Sequence, residues 1–295
     1  MRDPRAGAET PRSVAPIGIF DSGLGGLAVL REVQRLLPNE HVLYVGDTAR
    51  RPYGPQPTAM VRSYAVEIAG FLMSRGAKLV IIGCNTASVA GLDASRRCFP
   101  DLPVLGMVGP GVRGAVESTR EGRIGVWGTA LTVENHAYDE AILEINPSAE
   151  VLGVACPELL RLAEKGEIDD KAHLLALARR YFEPIDHFGA DILVLGCTDL
   201  TCVRDIAETV AGEDVTVVDP AEQVVLEATE VLESMGSRRP ESGDAPTYEF
   251  LITGEDEDGF GRFTAEFLGV SEVDVKRVPL KSVQKGRLAA TGDCA

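Results

Sequence analysis

Leu79-Val80-Ile81-Ile82-Gly83-Cys84-Asn85-Thr86-Ala87-Ser88 decides the reading of this chain, because its plan returns 113 residues later in Ile192-Leu193-Val194-Leu195-Gly196-Cys197-Thr198-Asp199-Leu200. Each segment is a short apolar run, then Gly-Cys, then polar residues able to open a helix. Continuous apolar runs, unlike alternating ones, mark strands covered on both faces. Similar runs recur at Ile17–Phe20, Val42–Val45, Val104–Met107, Ile124–Trp127, Val151–Val154, Val215–Val218 and Phe250–Thr253. Between them lie helix-period stretches such as Gly26–Leu37, Thr58–Arg75 and Ala172–Phe188. This alternation predicts an α/β fold with mainly parallel sheets. The echo predicts two similar lobes, each presenting a cysteine at the carboxyl end of a strand, where open α/β sheets bind ligands.

Composition narrows the function. The 295 residues carry 29 basic and 45 acidic side chains, a formal charge of −16, and no local basic patch that would hold a phosphate backbone. Nucleic acid is therefore not an expected partner. The uncharged tract around the most apolar strand, Leu79 to Leu92, is too short and too polar to span a bilayer, so no membrane association is expected. The first fifteen residues have no apolar core of a secretory signal, and the six cysteines (84, 98, 156, 197, 202 and 294) are scattered. Both features point to reduced thiols and a cytoplasmic location. Residues 1–15 and 281–295 read as tails, and Ser234–Pro246 as a surface loop.

Asp21-Ser22-Gly23-Leu24-Gly25-Gly26-Leu27-Ala28 closes the first strand and satisfies the G-x-G-x-x-A dinucleotide pattern, with Asp47 downstream. Asp21, however, would place a negative charge beside a bound pyrophosphate. A better fit has Asp21 and Ser22 projecting into a site while the glycines let backbone amides approach a small carboxylate. After the second strand, Pro52-Tyr53-Gly54 forms a punctuated turn whose amides and tyrosine hydroxyl could bind a carboxylate, although an ordinary strand-to-helix connection has the same composition. Cys84 and Cys197 both stand where a helix N-terminus favours thiolate. Of the four histidines, only His136, following Gly128-Thr129-Ala130-Leu131-Thr132, is placed near a site. No metal-ligand spacing is present, so no metal is expected.

As a set these segments resemble the glutamate racemase family, within the cofactor-independent aspartate/glutamate racemases. The resemblance rests on Phe20 to Gly26, Gly46-Asp47-Thr48-Ala49 with Pro52-Tyr53-Gly54, Cys84 to Ser88, Gly128-Thr129 with Thr132, Ala155-Cys156-Pro157 with Glu164, and Leu195 to Thr198, and it covers Ile17 to Pro279. It implies two pseudo-symmetric three-layer α/β lobes with the active site in the cleft between them. Lobe A would hold residues 16–108 and 218–280, and lobe B residues 109–217. The implied reaction is interconversion of L- and D-glutamate without cofactor, feeding peptidoglycan. Inverting a stereocentre by proton transfer needs one base on each face, which two thiols supply. The resemblance makes Cys84 and Cys197 the acid/base pair and has Asp21 assist Cys84 and the substrate ammonium. Glu164 matches an acidic residue near the second thiol. Ser22, Asn85, Thr86, Thr129, Thr132 and Thr198 would hold the substrate's α-carboxylate and ammonium, and Pro52, Tyr53 and Gly54 its side-chain carboxylate. A homodimer is the expected assembly.

One departure stands out. The family reads Gly-Cys-Thr-His-Tyr-Pro around its second cysteine, whereas this chain reads Gly196-Cys197-Thr198-Asp199-Leu200-Thr201. Asp199 thus occupies the place of the histidine that assists the second thiol. Related aspartate racemases have a carboxylate there. Racemisation of aspartate or another amino acid, and a non-catalytic relative that binds glutamate or a partner, are the alternatives.

Overall fold

A computed structural model describes residues 12–241 and 244–286 of the chain. Among the described residues ten strands form two sheets, all of whose pairings are parallel. The first contains β1 (Ile17–Asp21), β2 (Val42–Gly46), β3 (Leu79–Ile82), β4 (Val104–Gly106), β9 (Tyr248–Ile252) and β10 (Val275–Arg277), in the order β10-β9-β2-β1-β3-β4. The second contains β5 (Arg123–Gly128), β6 (Glu150–Ala155), β7 (Ile192–Gly196) and β8 (Thr216–Val218), in the order β6-β5-β7-β8. The run β2-β1-β3-β4 and the run β6-β5-β7-β8 share one topology, so the echo seen around the two cysteines extends to whole half-sheets. All nine strands expected from the apolar runs are present; β10, short and half polar, gave no apolar signal.

Successive residues of a strand point to opposite faces, and here both faces are apolar. Ile17 and Ile19 of β1 enter one core with Leu79 and Ile81 of β3. Phe20 enters the other with Val80 and Ile82. The second sheet is likewise flanked by two cores, one around Trp127, Leu193 and Leu195 and one around Ile124, Val126 and Val194. Each lobe is therefore a sheet between two helical layers.

Helices α1 (Leu27–Leu36), α2 (Thr58–Ser74) and α3 (Asn85–Cys98) cover the first sheet, and α4 (Val108–Ser118) leads into the second. There α5 (Ala130–Glu134), α6 (Ala137–Ile145), α7 (Pro157–Lys165), α8 (Lys171–Phe188) and α9 (Arg204–Ala211) follow. Helices α10 (Pro220–Ser234), α11 (Glu257–Leu268) and α12 (Leu280–Gln284) return to the first lobe. Parts of the expected tails and loop are docked instead. α12 packs on α2 with Val283 fully buried, and the Lys78 ammonium donates to the Ser13 carbonyl. Within 234–246, Ser237 and Arg239 are buried, where the Ser237 carbonyl accepts from Lys78 and the Arg239 amide donates to Glu40. A buried Lys78–Glu40 ion pair at 2.6 Å organises this corner. Cys84, Cys156, Cys197 and Cys202 are free thiols. Cys98 is disulfide-bonded, contrary to the expectation of reduced thiols throughout, and Cys294 lies outside the described residues.

The lobes come into close contact where the glycine loop after β1 meets the turn after β7. A Cβ added at Gly25 would stand 2.7 Å from the Asp199 amide nitrogen and 2.8 Å from Asp199 Oδ1 and Thr198 Oγ1. The glycine pattern that imitates a nucleotide loop here makes room for the opposite lobe. Gly25→Ala must therefore push backbone from backbone. It should lower stability by about 1–3 kcal/mol, as overpacking does, a loss that urea unfolding measures.

Candidate active site

Strand register assembles the site. Phe20 pairs with Ile82, so Asp21 and Cys84 emerge together from adjacent strands of the first sheet. Gly128 pairs with Gly196, so Thr129 and Cys197 emerge together from the second. These ends face one another across a cavity of about 260 Å³ lined by Ser22, Pro52, Tyr53, Gly54, Cys84 and Thr86 from one lobe and by Thr129, Glu164, Cys197 and Asp199 from the other. That volume lies just below the ~300–1,000 Å³ common for small-molecule sites and suits a ligand of amino-acid size.

Four residues implied by the resemblance stand behind the wall. Asp21, Asn85, Thr132 and Thr198 are all buried, and three hydrogen bonds at and behind the wall tie the lobes together. The Thr198 hydroxyl donates to Asp21 Oδ2 at 3.2 Å, the Tyr138 hydroxyl donates to Asn85 Oδ1 at 2.7 Å, and the Thr86 and Thr129 hydroxyls share a bond of 3.0 Å. Thr132 braces Thr129 from behind at 3.0 Å. The Asn85 amide nitrogen is buried with no partner among the described residues, and so holds donors in reserve. Tyr53 differs from expectation: its hydroxyl donates to Asp47, which also accepts from Arg50 at 2.6 Å and Thr253 at 2.7 Å. Its turn can offer backbone amides to a ligand, but the hydroxyl is already engaged. His136 is exposed and bonded to Asp139 at 2.9 Å, outside the cavity.

Leu160 and Arg161 on α7 also line the cavity, with Pro55, Ala130 and Pro157. Leu160 lies four residues before Glu164, a spacing that puts both on one helix face. That spacing was the available signal, and it becomes informative only once α7 is known to border the cleft.

Electrostatics decide which groups carry charge. Cys84 and Cys197 are 4% and 5% exposed, and burial pushes both thiols well above the usual range. Asp21 adds to the rise at Cys84 and Asp199 to that at Cys197. The Ala87 amide, in the first turn of α3, favours the Cys84 thiolate as the sequence suggests, but burial outweighs it. Both thiols donate within the site, Cys84 to Ser22 Oγ at 3.9 Å and Cys197 to Asp199 Oδ2 at 3.6 Å. Asp199 is itself raised well above the carboxylate range, first by burial and then by Asp21 and Glu164. Burial raises Glu164 too. Asp21 is pushed up to about 6 by burial, against bonds from the Gly23 amide, Thr198 and the Gly26 amide that favour its charge. Burial thus makes each acid and thiol of the site harder to ionise, and a cation close by would work against that shift.

The Asp21 shift has a measurable sign. Its value in the folded protein lies above the ordinary 3.8, so the folded state holds the extra proton in that interval and stability falls as pH rises through it. At pH 7 an ionised Asp21 costs stability. Asp21→Asn should therefore raise the unfolding free energy at pH 7 by about 1–3 kcal/mol and have little effect below about pH 4, where both side chains are neutral. Denaturant titrations at the two pH values measure the difference.

Comparisons with known proteins agree with this geometry. The Asp/Glu/Hydantoin racemase family profile matches residues 17–228. A glutamate racemase of Beutenbergia cavernae is 45% identical over 273 residues, covering 89% of this chain and 92% of the relative. The crystal structure of a glutamate racemase isoform from Bacillus anthracis superposes with a TM-score of 0.86 at 32% identity, covering 91% of this chain and 98% of that one. The Francisella tularensis glutamate racemase solved with D-glutamate gives 0.83 at 28% identity, covering 92% and 99%. With its duplicated parallel half-sheets and a thiol from each lobe in one cleft, the chain belongs to the glutamate racemases of the Asp/Glu/hydantoin racemase family.

Proposed function

We propose that this protein interconverts L- and D-glutamate in the cytoplasm by proton transfer between two thiols, without cofactor, and so supplies D-glutamate for peptidoglycan. The observation that carries the reading is the convergence of Cys84 and Cys197, one from each lobe, on a single cavity of amino-acid size. The family relatives support the substrate, and a related structure holds D-glutamate. A homodimer is part of the proposal, to be checked by sedimentation.

In this reading one cysteine acts as thiolate and removes the Cα proton, while the other, as thiol, returns a proton to the opposite face. After turnover the first is a thiol and the second a thiolate, ready for the reverse direction. The arriving ammonium supplies the positive charge that the buried carboxylates lack. It favours ionised Asp21 and Asp199, each of which can then accept a proton passing to or from its neighbouring cysteine. The Asn85 amide and the threonine hydroxyls bind the α-carboxylate, and the Tyr53 and Gly54 amides, in the turn that Pro52 opens, the side-chain carboxylate. Asp199 also motivates a second reading, aspartate as substrate, because a carboxylate stands beside the second thiol.

Racemisation of L-glutamate, followed by circular dichroism, should survive dialysis against chelator and carbonyl-trapping reagents. L-Aspartate assayed alongside distinguishes the second reading. In deuterated water, early deuterium should enter the product enantiomer rather than recovered substrate. Cys84→Ala and Cys197→Ala should each lower turnover by about 10²–10⁴-fold, the usual worth of an acid/base group, with cooperative unfolding retained. Near-parental rates in either variant would rule out the two-thiol assignment.

Asp199 makes a separate prediction. Asp199→Asn should change the kinetic parameters for L- and D-glutamate unequally, whereas Asp199→His should preserve or increase activity. The equilibrium ratio stays at unity in both, since free enantiomers are equal in energy. Progress curves from each enantiomer across pH check this, and two variants identical to the parent would reduce Asp199 to a helix-capping residue.

A further inference from the structure

Three carboxylates, Asp21, Glu164 and Asp199, share this cleft with two thiols, and each raises the cost of charging another. A chain of net charge −16 that binds an acidic amino acid there needs a local cation. Arg161, which borders the cavity from α7, pairs with Glu167 at 3.3 Å, and the other candidates are two neighbouring arginines before Pro52. Arg50 is spent on the far side of its loop, with Nε 2.6 Å from Asp47 and Nη1 2.5 Å from Glu67. Arg51 turns the other way, towards the glycine loop, where a Cβ on Gly23 would stand 3.4 Å from its Nη1.

That loop gives the geometry its force. Arg51 lies against Gly23, and Asp199 lies against Gly25 two residues on. Those two Cα atoms can be no more than roughly 7 Å apart. Glu164 joins the same arrangement from α7. It borders both the 260 Å³ cavity and a second cavity of about 570 Å³, on whose wall Arg51 sits. Several other charged groups of this second cavity have partners of their own. Lys165 lies 3.9 Å from Glu167, Glu255 pairs with Arg277 at 2.8 Å, and Asp256 caps the Gly259 amide. Arg262 and Glu266 face it from α11.

We infer that Arg51 is a positioning residue of the site, the counter-charge that allows Asp199 and Glu164 to work beside Asp21 in one cleft. It acts through Asp199 rather than on the reacting atoms. In keeping with this, Arg51 opposes the upward shift of Asp199 and heads the opposing influences at Glu164, whose rise Lys165 also resists. The groups that Asp199 meets from other elements are Asp21 at the end of β1 and Glu164 on α7, both acidic and both raising it, with the Cys84 thiol after β3 and the Tyr44 hydroxyl of β2; burial of Asp199 works in the direction of the two acids. Removing the arginine leaves these three influences with less to offset them. The inference deepens the racemase reading, since it explains how a carboxylate can stand in the place of a histidine.

The test uses the full-length protein labelled with ¹³C-aspartate, the Asp199 carboxyl resonance being assigned by its loss in Asp199→Asn. In Arg51→Gln the Asp199 titration should move upward by about 0.5–1 pH unit, a roughly three- to tenfold fall in its ionised fraction at a given pH. Arg51→Lys, which keeps the charge, should restore most of the parental value. The acid limb of kcat/KM for glutamate should move in the same direction. An Asp199 titration unchanged in Arg51→Gln overturns the inference. So does a rise in KM with no shift in titration, which would make Arg51 a substrate ligand instead. If the parent protein fails to racemise glutamate, the functional reading falls, and the titration still decides the role of Arg51.

Discussion

Thr198 of one lobe donates its hydroxyl to Asp21 of the other, and the site depends on the two lobes approaching that closely. The contact is possible because Gly25 has no side chain where the backbone and carboxylate of Asp199 arrive. Gly54 gives way similarly to Thr129, whose Cβ would stand 3.1 Å from an added Cβ there. Glycine here is the means by which two separately folded sheets bring their carboxyl ends within reach of one small molecule.

Closeness has an electrostatic consequence. Water is excluded from the inner wall, so every acid and thiol there is harder to ionise than in solution. In the proposed reaction a ligand that brings an ammonium group supplies positive charge among these groups and favours their ionised forms. Burial also raises the basicity of each thiolate once it forms, which suits a reaction whose difficulty is moving a weakly acidic proton. Asp199 fits the scheme as a carboxyl group that can accept the Cys197 proton at 3.6 Å, provided some cation moderates its surroundings.

The apolar runs made nine strands readable because a strand buried on both faces leaves no room for polar residues, and the Gly-Cys echo identified the pair of thiols. Features written in long-range contacts were not readable. The Tyr53 hydroxyl, open in sequence to a ligand, is taken by Asp47 because the turn folds back over β2. His136 stands near Thr132 in sequence but outside the cavity, on the exposed start of α6. The loop containing Ser237 and Arg239 has the composition of a surface turn and most of its described residues are exposed, but these two are buried, since Lys78 and Glu40, distant in sequence, need its backbone to satisfy their charges.

The sequence by itself determined the class of fold, the duplicated plan, the two thiols and the unusual aspartate at 199, because each of these is a local pattern of side-chain type and spacing. Only the tertiary structure decided which residues touch the cavity, which stand behind it, and which carry charge. Cys84 shows why. Its place at the head of a helix favours the thiolate, a local effect visible in the sequence, but burial between two lobes and the nearness of Asp21 reverse the balance. Desolvation depends on everything packed around a group, and that is settled only when strands far apart in the chain lie side by side.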